Sequence, residues 1–538
     1  MKNKKSTCNV AKEIKYKISG MPFMISNQLF EITFLSFFLM LIFNSNSNSQ
    51  SKEAHRPQFH FSPQKMWMND PNGMVFYKGE YHLFYQHYPD STIWGPMHWG
   101  HAVSKDLIHW EHLPIALFPD EHGYIFSGSA VIDHENTSGF GTKDNPPMVA
   151  IFTYHDPVKE KKGSIDYQTQ GIAYSLDKGR SWTKYKSNPV VNNPGIKDFR
   201  DPKVFWHGPS HKWIMILAVQ NHVQLFNSSN LKTWNFLSKF GENSGSHGGV
   251  WECPDLFELS VDNKKNEKYW VMLVSINPGG PNGGSATQYF IGDFDGEKFT
   301  NSNSSETSLW VDYGKDNYAG VTWSDIPQED GRKIFIGWMS NWEYANQVPT
   351  EKWRNAMTIP RKLSLTKAID GVRLQNFPVQ ELKKLRNDKL TIKDLEVEGA
   401  YSISKEKDWT ANIFELDLKI DLKKSTSENF GIELFNSKGE KVLIGFDQNQ
   451  KQCYIDRRFA GKSDFSEKFK GKSTAPRITS SNELKIRIIV DVASVEVFFD
   501  DGTIAMTEIF FPNEDFSNIS FFSGEKKLNI DSAVLYKF

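Results

Sequence analysis

Between about residues 56 and 365, short apolar or alternating runs are separated by Gly, Asn, Asp and Pro, and hardly any stretch repeats its apolar positions at a helical period. That pattern predicts strands joined by turns. A degenerate unit recurs within it: Asp, an apolar strand, a turn, a second aromatic-rich strand, then an edge segment of the form Ser-x-Asp with Trp a few residues on. The clearest edge segments are Ser104–Trp110, Ser175–Trp182 and Ser228–Trp234, the last with Asn230 in place of Asp, and a weaker copy is Gly292–Phe299. Opening strand pairs fall at Gly73–Tyr88, Ser127–Tyr154, Asp201–Gln220, Asp255–Ile276 and Asp325–Trp342, five in all. Units of roughly 40 to 70 residues, each a small antiparallel sheet, predict an all-β fold in which 56–365 form a five-bladed β-propeller. Two packed β-sandwiches are the alternative.

The pattern then changes. Leu374–Leu385 holds a Pro and a short amphipathic stretch and leads into a charged segment, so 366–398 reads as a linker. From 399 to 538 strands alternate cleanly again, as in Ile413–Ile420 and in Leu484–Phe499, which ends at the turn Asp500-Asp501-Gly502. Six or more such strands predict a C-terminal β-sandwich. At the other end, Ile32–Phe43 is an uncharged apolar run, too short to span a bilayer comfortably and preceded by a Lys-bearing start. Residues 1–50 are therefore expected to be a leader for export, leaving no membrane span in the mature chain, with an uncleaved N-terminal anchor as the alternative.

Composition adds exclusions. A chain of 538 residues with ordinary apolar and charged fractions is long enough for two globular domains. The formal net charge is −1 and the body of the chain has no basic block, which gives no reason to expect nucleic acid or an anionic membrane as partner. The chain is aromatic-rich, with 16 Trp, 18 Tyr and 40 Phe, which points first to packing between sheets and second to platforms for sugar rings. Of three Cys, Cys8 lies in the leader and Cys253 and Cys453 lie in separate domains, so no disulfide framework is expected. The few His near Cys253 lack the spacing of a zinc site, and no metal is expected.

Three short segments carry candidate chemistry. Asp70 sits in Trp67-Met68-Asn69-Asp70-Pro71-Asn72-Gly73, Asp201 in Phe199-Arg200-Asp201-Pro202, and Glu252 in Trp251-Glu252-Cys253-Pro254-Asp255. A glycosidase needs one carboxyl to attack or stabilise the anomeric carbon and another to protonate the leaving oxygen. In a propeller the inner strands all begin at one end of the channel, so acids near those starts converge although they are far apart in sequence. The bland readings are a plain turn for Asp70, an ion pair for Asp201 beside Arg200, and a core Glu satisfied by backbone amides for Glu252. Arg200 is expected to keep Asp201 ionised, and the apolar neighbours of Glu252 to raise its pKa.

Together these segments resemble glycoside hydrolase family 32, the β-fructofuranosidases, whose three acidic motifs WMNDPNG, FRDP and WECPDL match closely. Trp94–His101, Phe126–Ser129, Gly337–Trp342 and Val490–Phe499 carry the resemblance across residues 56–538. It implies a five-bladed propeller with an appended β-sandwich, and a retaining mechanism without cofactor in which Asp70 is nucleophile, Glu252 acid/base and Asp201 transition-state stabiliser. It further implies a terminal-fructose pocket built by Asn69, Gln86, Trp94, Phe126, Ser127, Arg200 and Trp338, with Trp67 and Met68 alongside, whereas Trp99 reads as blade packing. The implied substrates are fructans such as levan and inulin, and sucrose, attacked from the chain end. Asn346–Thr350 and Trp353–Met357 resemble the exo-acting inulinase, levanase and invertase branch. An endo-levanase or a fructosyltransferase of the same family is the nearest alternative, and a non-catalytic fructan-binding surface protein is the alternative from another class.

Overall fold

The computed structural model describes residues 53–264, 266–409 and 412–538, so the expected leader, 1–50, lies outside the described residues. Residues 54–538 form one compact unit. Five antiparallel sheets of four or five strands follow one another along the chain, and a ten-stranded sheet closes it. The inner strands of the five blades are Met66–Tyr77, Tyr124–Ile132, Phe199–His207, Val250–Ser260 and Tyr318–Thr322.

The apolar runs fit because each blade buries both of its faces. Val131 packs against the third blade while its neighbour Ile132 packs against the first, and Ile214 and Met215, or Val271 and Met272, divide in the same way between successive interblade layers. The period-2 alternation of a strand thus sends consecutive apolar residues into two different cores, which removes the polar half of the usual alternation. The Ser-x-Asp segments turn between the third and fourth strands. Asp106 Oδ1 accepts the amides of Ile108 and His109 at 3.1 and 2.9 Å, Asn230 Oδ1 those of Lys232 and Thr233, and Asp295 Oδ1 those of Glu297 and Lys298. The ring is closed by residues 353–354, which pair in parallel with Met66 and Trp67, and by a parallel bridge between Val75 and Ser324.

The segment read as a linker, 366–398, holds sheet structure at both ends. Arg361–Ala368 and Gly371–Pro378 are the outer strands of the fifth blade, and Lys389–Ser402 already belongs to the C-terminal sheet. Only 379–388 lie between. The Pro of that segment is Pro378, the last residue of an edge strand, a position that tolerates a missing amide. In the C-terminal sheet the strand Asn518–Lys537 pairs through 518–522 with Asn429–Phe435 and through 530–537 with Phe414–Asp421, which lets one continuous sheet fold over into a nearly closed sandwich.

Propeller and sandwich meet through a buried ionic network. His60 lies between Asp491 and Glu496 at 2.8 Å each, Arg361 pairs with Glu496 and with Asp312 at 2.9 Å, and Arg457 contacts Asp316 and Glu508. Burial alone would lower the His60 imidazole, but the hydrogen bonds and charges of the two carboxylates raise it from 6.5 to about 9. A folded-state pKa above the unfolded one adds stability at low pH that disappears as pH rises through the folded value. His60→Gln is therefore expected to destabilise the protein by about 3–5 kcal/mol at about pH 6. The gap to wild type should narrow between pH 6.5 and about 9 in thermal unfolding, and a gap that stays constant over that window would count against a charged His60.

Candidate active site

Every inner strand has an irregular register near its start. The pairing shifts between Met68 and Pro71 in blade one, Ile125 and Gly128 in blade two, Arg200 and Lys203 in blade three, Glu252 and Asp255 in blade four, and Tyr318 and Val321 in blade five. These are β-bulges, which re-aim the side chains they carry. Asp70, Ser127, Asp201 and Cys253 sit inside them, and Glu252 is the last paired residue before its own. The backbone is left-handed at Gly73 (φ 51°), Asp201 (φ 65°), Cys253 (φ 43°) and Ala319 (φ 54°). A side chain at Gly73 would also come within 2.6 Å of the Trp99 ring and 2.8 Å of the Phe84 ring. The motif around Asp70 is thus a bulged segment within one strand, Met66–Tyr77, and not the turn its Asp-Pro-Asn-Gly composition suggests.

Asp70 accepts Asn69 Nδ2 at 2.9 Å on one oxygen and Ser127 Oγ at 2.7 Å on the other, and Trp67 Nε1 donates to Asn69 Oδ1 at 2.7 Å. The carboxylate is held by these two neutral donors, with no cation paired to it among the described residues. Glu252 is held differently. Arg200 Nη2 donates to its Oε1 at 2.6 Å and Nε at 3.2 Å, and the Tyr318 hydroxyl donates to Oε2. Burial nonetheless raises the Glu252 pKa, with the Asp70 charge adding and Arg200 opposing. Asp201 accepts the Cys253 amide at 3.0 Å, and its own amide donates to Thr153 Oγ1 at 2.9 Å.

Arg200 does not act on Asp201 as the sequence suggests. Its guanidinium is committed to Asp198 at 2.6 Å and to Glu252, and its Nε stays 3.9 Å from Asp201. Burial, reinforced by the charges of Glu252 and Asp70, pushes the Asp201 carboxyl up to about 7 despite the nearby Arg. The acids are close enough to share one thiol: Cys253 Sγ lies 3.6 Å from Asp70 Oδ2 and 3.7 Å from Asp201 Oδ2. Burial and those charges raise the thiol pKa well above its usual value, so it stays neutral among them.

The remaining expected pocket residues surround this centre. Trp67 and Trp338 are fully buried and meet Trp342, with centroids 5.9 and 4.9 Å away, and the Trp338 indole N–H has no hydrogen-bond partner among the described residues. Trp94 is exposed, its amide donates to Asn346 Oδ1 at 2.8 Å, and its ring meets the Phe126 ring edge-on. Phe126 in turn stacks on His155 at 4.2 Å. Two expected residues brace the centre from below: Gln86 Nε2 donates to Asn72 Oδ1 at 2.7 Å and to Ile125 O, and buried Met68 gives its carbonyl to Asn355 Nδ2. Trp99 is buried between blades one and two, its N–H on Phe126 O. Sequence reasoning missed Tyr318, Trp342 and His155, which belong to no acidic motif; their signal was position, at the start of the fifth inner strand for Tyr318, just past the second strand of blade five for Trp342 and at the end of the second strand of blade two for His155.

Residues 60–378 match the Glycosyl hydrolases family 32 N-terminal domain, and residues 381–537 match the Glycosyl hydrolases family 32 C terminal. The levanase of Bacillus subtilis is 47% identical over 501 residues, which covers 93% of this chain and 73% of that protein. The extracellular exo-inulinase of Aspergillus awamori is 40% identical over 86% of this chain and 90% of its own length. The crystal structure of exo-inulinase from that organism superposes with a TM-score of 0.83 at 37% identity, covering 90% of this chain and 99% of the other. With both of its domains matched, a bulged acid on each of three inner strands and the same fold throughout, this chain belongs to glycosyl hydrolases family 32.

Proposed function

We propose that the chain is an exported, retaining β-fructosidase that releases terminal β-D-fructofuranosyl units from fructans such as levan and inulin, and from sucrose, without a cofactor. The observation that carries this reading is the convergence of Asp70, Asp201 and Glu252, each with a distinct set of partners, at one end of a propeller of this family. The levanase and exo-inulinase relatives support the substrate class.

Asp70 attacks the anomeric carbon as Glu252 delivers its proton to the departing glycosidic oxygen, so the C–O bond to the leaving group breaks while a fructosyl ester forms. Glu252, now ionised, takes a proton from water, which attacks the same carbon and frees Asp70. Two inversions give retention, which calls for a separation of about 5–5.5 Å between the two carboxyls. The partners suit these roles. Two neutral donors orient Asp70 without neutralising it. Glu252 has a raised pKa for its acid step, and Arg200 with Tyr318 steadies the carboxylate left behind. Asp201 is placed to accept sugar hydroxyls whose hydrogen bonds strengthen as positive charge builds on the ring.

A time course of products from sucrose, inulin and levan tests the reading directly. Fructose alone from the outset is expected; an early ladder of oligomers would make the enzyme endo-acting, and transfer products at moderate sucrose would make it a fructosyltransferase. Asp70→Asn should lower turnover by on the order of 10³-fold or more with the fold intact, and wild-type-like activity in that variant would sink the mechanism by removing Asp70 from the nucleophile role. Glu252→Gln should slow natural substrates severely while sparing those with good leaving groups, which need no proton. Equal loss on both would remove Glu252 from the acid role.

A further inference from the structure

The channel of the propeller has a second mouth. Where the inner strands leave the axis, at the end opposite the acids, a cavity of about 1060 Å³ opens between blades two and five. It is separate from the catalytic pocket. Lys203 lines both this cavity and a small void beneath the acids, and its ammonium is tied across the axis to Thr322 O and, at 3.3 Å, to Asp255. The cavity is of a size that takes a small or oligomeric ligand.

Its chemistry narrows the choice. Most of the charges around it already have partners: Lys203 with Asp255, His134 with Asp325 at 3.2 Å, Glu135 with Lys143 at 2.8 Å, and Glu258 with Lys268 at 2.7 Å. An ionic ligand would have to break such pairs. What remains open is aromatic. Trp206 is 40% exposed at the end of the third inner strand, braced edge-on by Trp213 at 5.1 Å. Half-buried Trp270 is fixed by Phe205 at 5.7 Å and Phe294 at 5.1 Å. Gln328 and Lys333 add polar groups beside them. Rigid indole faces with a few neutral or singly charged hydrogen-bonding groups suit the C–H faces and hydroxyls of a sugar ring.

We propose that this far mouth of the channel is a second, non-catalytic site for a neutral oligosaccharide segment, with Trp206 as its stacking platform. That the segment is a fructan rests on the function proposed above. Such a site would hold one part of a long substrate while chain ends are trimmed elsewhere, raising their effective concentration.

Native electrophoresis of the full chain carrying Asp70→Asn, in gels containing levan, inulin or dextran, tests the site. Saturating fructose in the gel fills the catalytic pocket, so any retardation that persists reads the far mouth. Persistent retardation in levan or inulin is expected, with Trp206→Ala weakening the apparent affinity about fivefold or more and Trp206→Phe retaining most of it. Unchanged thermal unfolding of Trp206→Ala would exclude misfolding as the cause; should it unfold, a blue shift of tryptophan emission on adding inulin oligomers to Asp70→Asn with fructose present is the readout. No persistent retardation and no shift, or persistence that Trp206→Ala leaves untouched, overturns the site. If neither fructan retards the protein even without fructose, the substrate reading fails instead, and dextran retardation sensitive to Trp206→Ala would still support the site, whereas its absence would overturn it. As a separate check, sucrose hydrolysis by the single variant Trp206→Ala should match wild type while KM for levan rises.

Discussion

The chemistry of this protein depends on a bulge near the start of each inner strand. A regular strand sends alternate side chains to opposite faces, and in a propeller both faces are consumed by packing against neighbouring blades. A functional side chain on a regular inner strand would therefore be buried between blades. The extra residue of a bulge breaks the alternation and lets Asp70, Ser127 and Asp201 within the bulges, and Glu252 at the edge of one, turn toward the axis. The left-handed backbone at Asp201 and Cys253 is the local cost of that turn, of order 1–3 kcal/mol at each such residue. It persists because the strands on either side are locked into interblade cores.

Closure of the ring holds those bulges in register. The blades carrying the first and last of them touch through the pairing of Met66 and Trp67 with Trp353 and Arg354, and through the bridge between Val75 and Ser324. The same region is clamped from outside by the sandwich: Arg361 leads the third strand of blade five and reaches Glu496, while His60, just before the first inner strand, joins Glu496 to Asp491. The fully buried pairs thus sit where the ring is joined. Buried ion pairs are poor sources of net stability but are sensitive to alignment, which suits a seam that must close in one way.

Much of this was legible in the sequence and some was not, for definable reasons. The blade count followed from the strand pairs and the Ser-x-Asp segments, because Asp106, Asn230 and Asp295 cap turns through local hydrogen bonds that depend on nearby residues alone. The acids were found because their motifs are short and contiguous. The bulges were not found, since Asp-Pro-Asn-Gly has the composition of a turn and nothing local distinguishes a turn from a strand that kinks and continues. The direction of Arg200 was missed for a related reason: adjacency to Asp201 suggested a pair, but neighbours on a strand point apart, and the guanidinium found Asp198, two residues back, and Glu252 on the next blade. Trp342 follows its strand and His155 ends its own, and what they meet is set by which blades come together there.

The electrostatics of the centre follow from the same placement. Burial and neighbouring carboxylates raise the proton affinity of Asp201 and Glu252, although the nearby guanidinium of Arg200 lies on Glu252 and Asp198. Asp70, half-buried and bonded by the neutral Asn69 and Ser127, has no cation paired to it among the described residues. Glu252 and Asp201 are the groups pushed upward, the first beside Arg200 and the second beside a neutral thiol and a backbone amide. Giving two of the three acids a raised affinity for protons while holding the third by neutral donors is the kind of inequality that divides acid/base work among carboxyls, and here it results from which bulge faces which neighbour.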